Sequence, residues 1–440
     1  MVSSFELRLL PSLGDSGSGF HLPIRKARMS LPQQILHHTF ENGLTLVAEP
    51  MPWLESAAFS IAVPAGCRFD PLAHLGTANF VCEMVQRGCG KLNSRDFIES
   101  LESLGVDFSS SVSTYNTNYG GAMPAGQLNA ALAIYADLLR RPHFPASQLE
   151  DGRLVCVQEI KSLEDDLSHR AILELRKRFY GDPDGRHSEG VLETIASIDL
   201  EDLQNFYRRQ YRPNGMIIAC AGKLNWDELK TNVNRLFSDW SPQAVDDVIT
   251  VEPQHGVHHI QHDSEQTHIA VAFNGVAYSH ADYYLNRGAI GVLSGGMSSR
   301  LFNEIREKRG LCYTVYASCH SLKDRGSVIC YSGTSTPRAQ ETLDVLLEQL
   351  TDLAQGIHED ELRRLKIQIR SSLISQQESC RSRASSIAGD WFHLGRVRTL
   401  DQVNECINRL TVETINQYLV ENPPRNFDVV TLGAQPLEIK

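Results

Sequence analysis

The chain is expected to be an α+β protein built from two homologous domains, each a mostly antiparallel β-sheet flanked by α-helices. Three observations predict this. Its 440 residues exceed what a single hydrophobic core supports. The segment Arg409–Gly433 repeats Ser197–Gly222 in helix phase, polar turn and final apolar strand about 210 residues later, a period far too long for a solenoid unit. Glu361–Ser375 likewise echoes the long helical stretch that opens at Glu150. The expected organisation is a disordered leader at 1–30, a first domain at 31–240, a linker at 241–256 and a second domain at 257–440.

Taken in order, the leader carries a GDSGSG run from Gly14 that resembles a serine-protease loop only superficially, since no His or Asp partner stands in a structured context. It has no apolar core of signal-peptide type, while four basic residues against two acidic ones in the first 28 leave a transit peptide as the alternative to a disordered leader. From Gln34, alternating residues around Asn42-Gly43 predict a hairpin, and Ser56–Pro71 a further strand. Leu75, Ala78, Val81 and Val85 recur at helical spacing, with Asn79, Cys82, Glu83 and Gln86 on a neighbouring stripe. Two polar, β-prone strands follow around Tyr115-Asn116, then a helix to Leu139 that Arg141-Pro142 ends. Ser147–Glu150 reads as a capping box for a long helix with Leu149, Cys156, Ile160, Leu163 and Leu167 on one side and Glu159 at its middle. A Pro- and Asp-containing stretch near Ser241–Pro253 reads as the linker.

The densest agreement of local signals lies at Ser294–Ala317. Gly295 and Gly296 loosen the backbone, and Ser298 or Ser299 is placed to cap a short helix bearing Leu301, Phe302 and Ile305. Gly310 suits a left-handed cap, and Leu311–Ala317 alternates as a strand with Tyr313 and Val315 on one face. Arg300 breaks the pattern, because the positive end of the helix dipole disfavours a cation in the first turn. Its ordinary explanation is a pair with Glu304 at i,i+4; its functional one is convergence with Tyr313 on one cleft.

A net charge of −11 with no long basic run argues against nucleic acid and anionic membrane as partners and favours a basic one. Ten scattered cysteines without C-x-x-C predict buried reduced thiols and a reducing compartment, the cytoplasm first and the mitochondrial matrix as the alternative. No run reaches transmembrane length, and no Walker loop, G-x-S-x-G or G-x-G-x-x-G occurs. The histidines at 255, 258, 259, 262 and 268 keep no ligand spacing with an acid or cysteine and read as polar strand and loop residues. A metallopeptidase helix of the H-x-x-E-H kind sets two imidazoles at i and i+4 with a general base beside them. Here those positions hold Asn79, Cys82 and Glu83, whose amide, thiol and single carboxylate cannot hold and use the ion in that way.

The residues resemble the pitrilysin, insulinase and mitochondrial processing peptidase family of inverted zincins, in its roughly 400-residue bacterial branch. The likeness is carried by Gly76–Met84, by QEIKSLEDD at Gln158–Asp166, by Tyr207–Gly222, and most specifically by GGMSSRLFNEIREKRGLCYTVY at Gly295–Tyr316. The resemblance implies a metallopeptidase-like duplicated fold, and a third zinc ligand at the position of Glu159. It also implies an arginine and tyrosine in the later domain that hold substrate or support the transition state, matched here to Arg300 and Tyr313. No metal or cofactor is expected on this chain, zinc being expected on a homologous catalytic partner that carries H-x-x-E-H.

The function expected is therefore the non-catalytic, substrate-binding subunit of a heterodimeric zinc endopeptidase acting on unstructured peptides, inactive alone and able to form a homodimer in isolation. The alternatives are an active peptidase with a non-standard metal site, or a purely structural subunit of processing-peptidase or respiratory-complex core type.

Overall fold

The computed structural model describes residues 33–245, 248 and 250–439; the expected leader and its GDSGSG run lie outside the described residues. Two large sheets organise the described chain. The first is built from β1 (Leu36–Thr39), β2 (Thr45–Pro50), β3 (Ser56–Val63), β6 (Asp107–Val112), β7 (Thr117–Pro124) and β8 (Ile217–Gly222), with β4 (Gly88–Cys89) and β5 (Leu92–Asn93) forming a separate small hairpin. The second is built from β9 (Val257–Gln261), β10 (Gln266–Gly275), β11 (Cys312–Ser321), β12 (Gly326–Ser335) and β13 (Asp428–Gly433).

Both sheets follow one plan. The first runs β1-β2-β8-β3-β7-β6 and the second, read from the matching side, β9-β13-β10-β12-β11. Only β2–β8 and β9–β13 pair in parallel, and all other neighbours are antiparallel. The strands that close the expected repeat, β8 and β13, thus occupy the same place in each sheet. β6 and β11 also correspond, each an edge strand with one row of backbone amides and carbonyls left unpaired by its sheet.

The central strands are buried on both faces, and their alternation shows what covers each. In β3, Ala57, Phe59, Ile61 and Val63 join the main core of the first half, while Ala58 and Ala62 face Cys380, Ala384, Ile387 and Ala388. Those four belong to the helix Cys380–Leu394, which comes from the second half of the chain. In β10, Ile269, Val271 and Phe273 point into the core of the second half, while Ala270 and Ala272 meet Ala171 and Leu175 of the helix Leu167–Tyr180 from the first half. Each sheet is thus covered on one face by a helix from the other half, and alanines on that face allow the close approach. A buried ion pair reinforces one exchange: the Nε of Arg383 donates to Glu49 Oε2 at 2.8 Å.

Two local expectations change. The helix expected to run from Ser147 past Leu167 is two helices, Leu149–Asp165 and Leu167–Tyr180, because Asp166 turns the chain and its carboxylate accepts the amides of Ser168 and His169 at 3.1 Å. Ser147 caps nothing; Gln148 stands at the helix start without a side-chain cap. Of the histidines, His255 bonds Asp428 at 2.7 Å, His259 bonds Thr431 at 2.9 Å and His268 bonds Tyr331 at 2.8 Å, all within or beside the second sheet. No helix among the described residues is long and apolar enough to cross a membrane.

Candidate functional site

The helix Thr77–Val85 begins at Gly76, whose φ of 94° is open to glycine at little cost. Asp70 caps it, accepting the Gly76 amide at 2.7 Å and the Ala78 amide at 2.8 Å. Burial pushes the Asp70 carboxyl up to about 7 against the pull of those two amides and of Arg186. The cap fixes the positions of Asn79, Cys82 and Glu83, and the helix Leu149–Asp165 packs beside it and brings in Glu159. The four residues expected at the degenerate metal motif therefore share one region, and their bonding is explicit. The Asn79 amide donates to Glu159 Oε2 at 2.7 Å. Glu83 Oε1 accepts from Arg87 at 3.0 Å through Nε and at 2.7 Å through Nη2. Cys82 is buried, and burial pushes its thiol up to about 12. Burial also raises the Glu159 carboxyl, opposed by the Asn79 bond and assisted by Glu83.

This donor set does not fit zinc. The first ligand position holds a neutral amide, a poor zinc ligand whose N–H is given to Glu159, the carboxylate in the last is taken by a guanidinium, and the thiol between them stays protonated at neutral pH. Among the described residues, no three His, Cys, Asp or Glu side chains gather as a metal cluster. The edge strand β6 runs alongside, tied by Gln86 Nε2 to Ser110 at 3.1 Å.

In the second half, the stretch read as a short α-helix widens into a π-helical turn at Phe302–Glu307, a form that recurs at functional sites. It is followed by β11, whose pairing with β12 slips between Cys312 and Thr314 and leaves Tyr313 as the extra residue of a bulge. The bulge turns the Tyr313 side chain out of the strand's alternation, and it is 81% exposed. Val315, expected on the same face, instead packs against the core.

Arg300 and Tyr313, expected on one cleft, have different partners in the structure. Arg300 donates from Nε to Glu361 Oε1 at 2.7 Å, and from Nη2 to Glu361 Oε2 and to the Gly356 carbonyl at 2.8 Å. Its expected local partner Glu304 takes Lys308 and Arg309 instead. The arginine at Tyr313 is Arg306, which sequence reasoning missed: its guanidinium carbon lies 4.9 Å from the Tyr313 ring centroid and 4.7 Å from that of Phe302. Among the described residues Arg306 has no ion-pair partner. A charged residue without a carboxylate and a phenol held almost wholly in solvent form a surface able to donate hydrogen bonds to a carbonyl or carboxylate. The signal available in the sequence was the basic run around Arg306, seven residues before Tyr313, but the π turn and bulge that bring the two together are not local propensities.

Comparison with known proteins gives this architecture its class. Residues 46–189 match the family model for insulinase (peptidase family M16), and residues 197–369 match that for the peptidase M16 inactive domain. The chain is 28% identical over 389 residues to the uncharacterized zinc protease YmxG of Bacillus subtilis, covering 87% of this chain and 94% of that protein. It is 25% identical over 396 residues to an uncharacterized zinc protease of Rickettsia felis, covering 90% and 95%. The solved peptidase M16 inactive domain from Pseudomonas fluorescens superposes with a TM-score of 0.84 at 22% identity, over 92% of this chain and all of that one. A protease from Helicobacter pylori does so at 0.83 and 18%, over 91% and 99%. The fold is that of a duplicated M16-type protein. The chain belongs to the M16 peptidase family, and its motif helix lacks that family's H-x-x-E-H pattern.

Proposed function

We propose that this chain is the non-catalytic, peptide-binding half of a two-chain zinc endopeptidase, working with a homologous partner that carries H-x-x-E-H and the zinc. The observation that carries this reading is the Asn79–Glu159 hydrogen bond of 2.7 Å: the positions that would hold a metal are bonded to each other and to Arg87 instead. A second half that displays Arg306 and Tyr313 supports retained substrate contact. An unstructured peptide would add to an exposed sheet edge through its backbone, with β11 next to Tyr313 the nearest one. The net charge of −11 favours basic peptides. Ten free cysteines, seven of them buried, suit a reducing compartment.

The experiment combines the purified chain with a homologous H-x-x-E-H protein from the same source and measures cleavage of a basic, unstructured peptide. The expected result is little turnover by either chain alone and chelator-sensitive turnover by the mixture. Chelator-sensitive cleavage by this chain alone would establish the alternative of an active enzyme with a non-standard site. A mixture no faster than the partner alone would favour a structural role.

A further inference from the structure

Two helices hold matching places in the two halves of the fold. Leu149–Asp165 leads into the exchanged helix Leu167–Tyr180, and Glu359–Gln377 leads into the exchanged helix Cys380–Leu394. Both leave apolar side chains in water. On the first, Leu154 is 58% exposed and Val155 37%; on the second, Ile367 and Ile374 are each 60% exposed. Scattered apolar residues on a surface are ordinary, but two on one side of each of two equivalent helices are not scattered.

The charges beside these side chains are opposite in sign on the two helices. At helical spacing, Asp151 and Asp165 fall on the side of the first helix that shows Leu154 and Val155, and Glu159 borders it, against the single cation Lys161. On the second helix Arg363 and Arg370 share a side with Ile367 and Ile374. Of the acids near them, Asp360 is held by Arg364 at 2.5 Å and Glu361 by Arg300 at 2.7 Å, while Glu359 and Glu378 stand at and beyond the helix ends, so the middle of the stripe is positive. Among the described residues Asp151, Asp165 and Arg363 have no ion-pair partner, and Arg370 bonds only the neutral Asn408, at 2.7 Å.

Sign decides which stripes meet. Two copies joined through the first helix alone would set Asp151 and Asp165 against themselves, and through the second alone Arg363 and Arg370. The crossed arrangement instead opposes acids to guanidiniums and covers Leu154 and Val155 with Ile367 and Ile374. Each chain carries one stripe of each kind, so a two-fold pairing makes this contact twice and closes at two copies. We propose that this chain forms a two-fold dimer in which the helix Leu149–Asp165 of each copy lies on the helix Glu359–Gln377 of the other. The surface is argued from charge and apolar exposure, and it holds whether or not the chain binds peptide.

The test is sedimentation velocity on the full chain, with circular dichroism to check folding. The parent is expected to sediment as a dimer at about 10 µM. Arg363→Glu with Arg370→Glu makes both stripes of a chain negative, and Asp151→Lys with Asp165→Lys makes both positive. All four side chains are exposed, so each double variant should fold, and each should dimerise about a hundredfold more weakly than the parent. Mixed in equal amounts, the two double variants are expected to recover the parent's affinity as a one-to-one heterodimer, because every stripe again meets its opposite. A folding defect would not be rescued in this way. The proposal is overturned if the parent is monomeric at about 100 µM, if it assembles beyond two copies, or if it associates only with a homologous H-x-x-E-H chain. It is equally overturned if either double variant dimerises like the parent or if the mixture stays monomeric.

Discussion

Asn79 donates its side-chain amide to Glu159 at 2.7 Å, across the gap between two helices that a metal would otherwise bridge. The backbone positions of residues 79, 82 and 83 on one helical face are thus in place, and only the side chains have changed. Replacing Asn79→His, Cys82→Glu and Glu83→His together is expected to give a chain that retains about one zinc after dialysis, with Glu159 as third ligand. The unaltered chain should retain none by elemental analysis. Asn79→His alone should not suffice, because Arg87 still occupies Glu83.

Arg306 and Tyr313 are predicted to carry peptide contact, and Arg300 to act elsewhere. In the presence of a catalytic partner, Arg306→Ala or Tyr313→Phe should lower peptide turnover by roughly two to three orders of magnitude, the usual cost of losing one donor to a developing charge. Arg306→Lys should recover only part of it, since an ammonium lacks the planar face that stacks between Phe302 and Tyr313. Equal turnover in Arg306→Ala and the parent chain would remove this pair from the function. Thermal stability should change little in any of the three, as Tyr313 is exposed and Arg306 has no ion-pair partner among the described residues.

The fold was readable because its strongest signals are local and recur. The helix, polar turn and apolar strand ending at Gly222 reappear at Gly433, and both final strands take the same place in their sheets. The exchanged helices were not readable, since Ala58, Ala62, Ala270 and Ala272 look like ordinary strand interior until the covering helix is seen. The degenerate motif was visible residue by residue, but the Arg87 contact to Glu83 was not inferred. The partner of Arg300 was not readable, because Glu361 lies 61 residues away. The bulge that exposes Tyr313 depends on register with β12, which no propensity of β11 encodes.

The Arg300–Glu361 pair should appear in the pH dependence of stability. Burial pushes the Glu361 carboxyl up, but the Arg300 bonds and the His358 amide outweigh it and hold the group below its ordinary value of 4.5. A carboxyl depressed in the folded state contributes stability that is present above its unfolded value and lost as pH falls through its folded one. Arg300→Ala is therefore expected to cost about 2 kcal/mol at pH 7, by leaving a mostly buried carboxylate without its bidentate partner. The difference from the parent chain should narrow as pH drops below 4.5. Urea melts at pH 7 and pH 3.5 check both parts, and a pH-independent difference would show that the pair is not its source.

The exchanged helices predict that neither half of the chain is stable alone. Without the helix Cys380–Leu394, a fragment of residues 33–245 would expose Val47, Ala58, Ala62, Ile217 and Ala219 to water and leave Glu49 buried without Arg383. The complementary fragment from residue 250 would lose Ala171, Leu175 and Tyr180 from the back of its sheet. Each is expected to aggregate or to bind a hydrophobic dye when expressed singly, and the two to recover native-like helicity when co-expressed. In the intact chain, Arg383→Met should destabilise by about 3–5 kcal/mol by stranding the Glu49 carboxylate, and adding Glu49→Leu should recover much of that loss. Because the helices bind each sheet to the opposite half, chemical denaturation of the parent should follow one transition by fluorescence and by circular dichroism. Two separated transitions, or a folded monomeric first fragment, would mean that the exchange contributes little to holding the halves together.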